Sequence, residues 1–207
     1  MDKYVIEING VKEEYPIGTS FEDIAKVHQS EFDSDICIAV FNGKIRELSK
    51  LPNGDGKLEF LDRRSPIGNR TYRRSATLLF IKAAHDVLGD EYKCKLKLEF
   101  AVNTGYYFSY KGDIPINEEV AAKIESRMKE MVEADLPILK SSKSLDEAKE
   151  IFTLQNMPDK VKLCEYRRSS VINVYDLEGY VDYYYGHMFP SCRYISSLRL
   201  YTMKTDS

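Results

Sequence analysis

The sequence predicts an α+β protein in two parts, a small β-rich unit of β-grasp order followed by a larger α+β unit. Three observations carry this. Strand-like stretches crowd the first sixty residues around one short helix. Asn-Gly dipeptides punctuate that region as hairpin turns. After a break holding Pro66, Gly68 and Asn69, long helical periodicities alternate with strands. The expected boundaries are 1–62 for the first unit, 63–69 for a linker and 70–207 for the second unit.

Each element has a local reason. Tyr4, Ile6 and Ile8 alternate with polar residues, as a half-buried strand requires. Asn9-Gly10 turns the chain into a second strand near Val11 to Ile17. Thr19 or Ser20 can cap a helix carrying Phe21, Ile24, Ala25 and Val27. Ile36 to Phe41 is an apolar strand, and Asn42-Gly43 leads into Lys44 to Leu48. Lys57 to Leu61 closes the set. In the second unit, Leu78, Ile81, Ala84, Val87 and Leu88 give a helix from about Arg70 with Gly89 at its end. Lys95 to Val102 and Tyr106 to Tyr110 read as a hairpin. Asn117 caps a helix with a Val120, Ile124, Met128, Met131 stripe, and Ser144 with Glu147 makes a capping box for another. Beyond Val161 the pattern reads as strands at Lys162 to Tyr166, Val171 to Tyr175, Gly179 to Tyr184 and Ile195 to Met203.

Composition narrows the function. The net charge of −3 excludes a uniformly cationic nucleic-acid binder, so any such contact needs a local patch. No stretch approaches the ~18 apolar residues of a membrane span, and the opening residues lack the apolar core of a signal peptide. A cytoplasmic location without membrane contact is expected. Cys37, Cys94, Cys164 and Cys192 form no CxxC pair and read as reduced, mostly buried thiols. No GxxxxGK[ST] cradle is present, because Gly56-Lys57 is followed by Leu58, and no GxSxG elbow occurs.

Several motifs resemble known modules. The opening hairpin, Pro16-Ile17-Gly18-Thr19-Ser20 and Ile38-Ala39-Val40-Phe41-Asn42-Gly43-Lys44 resemble a TGS domain, the ubiquitin-like module of threonyl-tRNA synthetases, certain GTPases and stringent-response enzymes. Tyr72-Arg73-Arg74-Ser75-Ala76 resembles the first helix of the synthetase editing domain. Asn103-Thr104-Gly105-Tyr106-Tyr107-Phe108 resembles its NGFYY segment, Leu136-Pro137-Ile138 the strand after its long helix, and Tyr180-Val181-Asp182 with Gly186 and Pro190-Ser191 its last motif. The same two modules precede a P-loop kinase in a family of bacterial nucleoside kinases similar to uridine kinase.

The resemblance implies two histidines four apart on the first helix and a Cys and His four apart in the last motif. Here those positions hold Arg74 and Leu78, then Tyr184 and Met188. No metal site is therefore expected. His187 is one residue out of register, and His85 leaves the Arg74–Leu78 face by helical phase.

The expected ligand-binding residues are Arg74, Tyr106, Tyr107, Asp182, Tyr184 and His187, with the rings stacking on a base or nucleoside. The bland alternative is that strand propensity favours tyrosine, of which the chain holds fifteen, and that Asp182 only fixes its loop. Arg63, Arg64, Arg70 and Arg73 are the expected RNA or phosphate contacts, against the alternative of a solvated helix start.

The resemblance thus implies a non-catalytic recognition or regulatory module of a nucleoside kinase. Its partners would be a C-terminal kinase domain of the same polypeptide and RNA, tRNA or a nucleotide, with an oligomer allowed. No cofactor is expected in this chain, since ATP and magnesium would belong to the kinase domain. Two rivals stand beside it: a free-standing aminoacyl-tRNA editing deacylase, and a purely structural or oligomerisation module.

Overall fold

The computed structural model describes residues 2–89, 96–102, 105–112, 115–196 and 198–202. The chain is α+β and divides into two compact units, Met1–Ala76 with Tyr185–Ile195, and Thr77–Tyr184 with Ser196–Ser207.

In the first unit, β1 (Lys3–Ile8) and β2 (Val11–Pro16) form a hairpin through Asn9-Gly10. Strands β3 (Ile36–Phe41) and β4 (Lys44–Arg46) form another through Asn42-Gly43, and β5 (Gly56–Asp62) joins them. The order is β2-β1-β5-β3-β4, with β1 and β5 parallel, which is the β-grasp arrangement. Both turns hold consecutive residues at positive φ, 51° and 82° at Asn9-Gly10 and 49° and 73° at Asn42-Gly43. That is the type I′ geometry whose twist matches the flanking strands.

Helix α1 (Phe21–His28) lies across the sheet, capped by Ser20, whose side chain accepts from the Asp23 N–H. It buries Phe21, Ile24, Ala25 and His28 against Ile6, Ile36, Leu48 and Leu58. Val27, expected on the apolar side, is 65% exposed. The phase 21, 24, 25, 28 places position 28 inward instead. The imidazole there is satisfied by polar partners: His28 Nδ1 lies 2.6 Å from Glu31 Oε1, and Nε2 lies 3.2 Å from the Tyr15 hydroxyl.

Helix α2 (Pro66–Leu88) starts four residues before the expected Arg70. Its N-terminus is built by Ser65, whose Oγ accepts from the Gly68 N–H at 3.0 Å, with Pro66 at the first helical position. The apolar spacing begins later, so periodicity alone misplaces the start.

In the second unit, β6 (Leu96–Val102) and β7 (Gly105–Tyr110) pair as a two-stranded ribbon. Asn103, Thr104 and Cys94 of the expected motifs lie outside the described residues. Helix α3 (Glu118–Glu133) is capped by Asn117 as expected. Strand β8 (Leu139–Ser144) leads into α4 (Leu145–Leu154) through the Ser144–Glu147 capping box. Strands β9 (Val171–Leu177) and β10 (Tyr180–Asp182) complete a sheet of order β10-β9-β8.

Two expected strands are absent. Lys162 to Tyr166 belongs to a helix, α5 (Pro158–Tyr166), with Pro158 at its start. Tertiary burial decides this: Val161 and Cys164, three apart on one helical face, pack with Phe152, Ile172 and Val174. Of Ile195 to Met203, the described residues form no strand. The Leu200 N–H there donates to Glu125 Oε2 at 3.0 Å instead of to a ladder.

Cys37, Cys164 and Cys192 are buried, and burial pushes the Cys37 thiol up to about 12, far from thiolate reactivity at neutral pH. No helix is long and apolar enough to cross a membrane, among the described residues.

Candidate functional site

The residues singled out by sequence divide between the units. Arg63, Arg64, Arg70, Arg73, Arg74 and His187 belong to the first, and Tyr106, Tyr107, Asp182 and Tyr184 to the second.

In the first unit, the arginines meet different fates. Arg64 is committed to carboxylates: its Nε lies 3.0 Å from Asp62 Oδ2 and its Nη1 2.7 Å from Asp33 Oδ2. These hydrogen bonds raise its pKa further. Burial pushes the Asp62 carboxyl up, but the hydrogen bonds from the Arg64 side chain and backbone N–H help hold it below the ordinary value. Arg63 sits over the Tyr72 ring, with the guanidinium carbon 3.6 Å from the ring centroid. Arg70 is exposed and Arg73 half-buried on α2, one helical step apart at i,i+3.

Arg74 reaches the segment 185–195. Its Nη1 donates to the His187 carbonyl at 3.1 Å. Gly186 sits at φ +130°, and a Cβ there would come within 2.6 and 2.7 Å of the two Arg74 Nη atoms. The next residues are held in turn. The Met188 N–H donates to Glu47 Oε1 at 3.2 Å, and the Phe189 N–H donates to Ser75 Oγ at 2.9 Å. Glu47 Oε1 also lies 3.9 Å from His187 Nδ1. Phe189 packs edge-on to Tyr72 and stacks on Tyr194. Glu47 is only 3% exposed, yet no local pattern marks it, because a lone Glu after β4 reads as surface.

In the second unit, Asp182 is buried at the end of β10. Its Oδ1 lies 2.7 Å from Lys160 Nζ and accepts from the Tyr183 N–H at 2.6 Å. Lys160 comes from the first turn of α5, two residues before the stretch expected as a strand. The Gln155 side chain brackets β10, donating to the Val181 carbonyl at 2.6 Å and accepting its N–H at 2.8 Å. Tyr184 meets Tyr175 edge to face at 6.5 Å, with Lys160 Nζ 5.7 Å from its ring centroid. Tyr183 carries the Arg167 guanidinium at 4.9 Å. On the β6–β7 ribbon, Tyr107 stacks on Phe100 at 5.0 Å, and Tyr106 meets Phe108 edge-on. The structure therefore joins Asp182 to Lys160 and Tyr184 near it, while Tyr106 and Tyr107 engage rings of their own ribbon.

The four metal-type positions do not fit a zinc ion. Leu78 and Met188 are buried apolar side chains, Tyr184 offers a phenol and Arg74 a permanent cation. Among the described residues, no group of three or more His, Cys, Asp and Glu side chains could hold a metal.

No family model matches the chain. It is similar over nearly its whole length to several threonine–tRNA ligases. Identity is 28% over 196 residues with that of Syntrophomonas wolfei and 30% over 193 residues with that of Syntrophotalea carbinolica. It is 28% over 196 residues with threonine–tRNA ligase 1 of Bacillus subtilis. These matches cover 94%, 93% and 94% of this chain and 30% of each ligase. The chain thus spans under a third of the length of the relatives it matches, and these relatives lend no support to the expected nucleoside kinase.

Proposed function

We propose that this chain serves tRNA as an editing-type module, recognising the aminoacylated end and cleaving the aminoacyl ester without a metal. The similarity to threonine–tRNA ligases over 93% or more of the chain carries this reading.

Ester hydrolysis needs modest help. Water attacks the ester carbonyl carbon, its proton passes to a base, and the carbon–oxygen bond to the ribose breaks. The ribose oxygen leaves and takes up a proton. Asp182 is assigned to orient the attacking water and receive its proton, and Lys160 to stabilise the oxygen that gains negative charge. Tyr184 offers a stacking face beside them. Tyr106 and Tyr107 are assigned to the terminal bases. On the first unit, Arg63, Arg70 and Arg73 are assigned to backbone phosphates, and His187 to ligand contact.

A second reading is recognition without hydrolysis. It is favoured by one observation, the replacement of all four ligand-type residues by Arg74, Leu78, Tyr184 and Met188. One experiment separates the two: purified chain mixed with a panel of aminoacyl-tRNAs, with release of the amino acid followed in the presence of a chelator. Turnover that survives the chelator and repurification supports the hydrolase. Tight tRNA binding with no turnover supports recognition alone. Binding to no tRNA at all sinks both.

A further inference from the structure

A guanidinium on the third turn of a helix, in a module proposed to handle RNA, invites the reading of a phosphate clamp. The surroundings of Arg74 speak against that use. Its Nη1 is spent on the His187 carbonyl, 113 residues away in sequence. Its planar head lies against Gly186, at a spot where any side chain would collide with all three terminal guanidinium atoms. Gly186 also adopts φ +130°, a backbone region that side chains disfavour. So a side chain here would meet backbone strain and would have to displace the Arg74 head.

We propose that Arg74 is a positioning residue: its guanidinium, bedded on Gly186, ties α2 to the 186–188 backbone and sets the place of the His187 imidazole. An arginine suits the task because its fork is rigid, planar and charged at all accessible pH. Two neighbours complete the docking. Ser75, next on the helix, receives the Phe189 N–H, and Glu47 receives the Met188 N–H. The His187 carbonyl is thereby held by Arg74, and its imidazole Nδ1 lies 3.9 Å from the buried Glu47 carboxylate. The structural tie is independent of the proposed function; only the tRNA measurement below rests on that reading.

Amide hydrogen exchange on the full chain tests it. The Met188 and Phe189 amides report docking of the segment, and the β3 amides report the β-grasp core. Arg74→Ala is expected to lower protection at Met188 and Phe189 about tenfold or more while β3 is unchanged. Gly186→Ala should do the same, because its Cβ displaces the guanidinium, and the double variant should be no worse than the poorer single one. Arg74→Lys keeps the charge but lacks the planar fork, so it should fail like alanine. Millimolar guanidinium ion should restore protection in Arg74→Ala and not in Gly186→Ala, which a general loss of folding would not reproduce. Protection within about twofold of wild type in Arg74→Ala would overturn the tie.

The salt dependence of tRNA binding separates positioning from phosphate contact. A positioning residue leaves the slope of log affinity against log salt unchanged in Arg74→Ala. A slope reduced by about one would identify a phosphate contact and refute the proposal. If wild type binds no tRNA, the proposed function fails, while the exchange measurements still decide the tie.

Discussion

Lys160 Nζ stands 2.7 Å from Asp182 Oδ1, joining α5 to the end of β10 across a carboxylate that is only 3% exposed. Asp182→Asn keeps the shape and removes the charge. It is expected to lower ester hydrolysis by about 100-fold or more, measured as release of amino acid from aminoacyl-tRNA, with tRNA affinity little changed. Lys160→Met leaves the buried carboxylate without its cation. It is expected to cost about 2 kcal/mol in urea unfolding, below the range for fully buried pairs because Lys160 is partly exposed. An Asp182→Asn variant that releases amino acid as fast as wild type would remove Asp182 from the proposed chemistry.

Arg70 and Arg73 are the arginines assigned to phosphate contacts, whereas Arg64 is paired with Asp62 and Asp33. Arg70→Ala and Arg73→Ala are each expected to weaken tRNA binding and to reduce the salt slope by about one. Arg64→Ala should leave the slope as it is. The check is filter binding across a salt series. Equal effects at all three positions would mean that diffuse charge governs the interaction.

Asp86 makes part of the second unit acid-sensitive. Its carboxylate lies 2.6 Å from Lys82 Nζ and 2.9 Å from Arg127 Nε, and Glu178 lies 2.5 Å from Arg127 Nη2. Desolvation pushes the Asp86 carboxyl up, but hydrogen bonds from Lys82 and Arg127 prevail and hold it below its ordinary value. A lowered carboxylate stabilises the fold fully above its unfolded pKa, about 3.9. That contribution fades as pH falls through the lower folded value. Asp86→Asn should therefore cost about 1 kcal/mol at pH 7, and the gap from wild type should close below about pH 3. Thermal unfolding at several pH values reads this out; a gap that widens in acid contradicts it.

Gly43 stands at φ +73° with nothing within 4 Å of where a Cβ would be. The cost of Gly43→Ala is therefore backbone strain alone, about 1–2 kcal/mol. Gly10→Ala should behave alike at φ +82°. A lowered Tm with an unchanged circular dichroism spectrum is the expected result. Equal stability would show that the turn relaxes to another type.

The sequence by itself determined the elements whose causes are local. The two Asn-Gly turns, the Asn117 cap and the Ser144–Glu147 box each act within a few residues, so spacing alone reveals them, and it narrows the first helix cap to Thr19 or Ser20. The β-grasp order was legible because its strands alternate around one helix. Position 28 facing inward was also available from helical phase, although Val27 looked the better apolar candidate. What only the tertiary structure decided involves partners far apart in the chain. Residues 162–166 alternate well enough for a strand, and it is the burial of Cys164 beside Phe152 and Val174 that makes them helical. Arg64 and Arg74 are the same side chain on neighbouring stretches. One is neutralised by an aspartate 31 residues away, and the other is spent on a carbonyl 113 residues away. Glu47 and Lys160 carry no local signal, because a charged residue becomes part of a site only when distant backbone closes over it. Local sequence sets which conformations are cheap, whereas desolvation and pairing of charge depend on which remote segments meet.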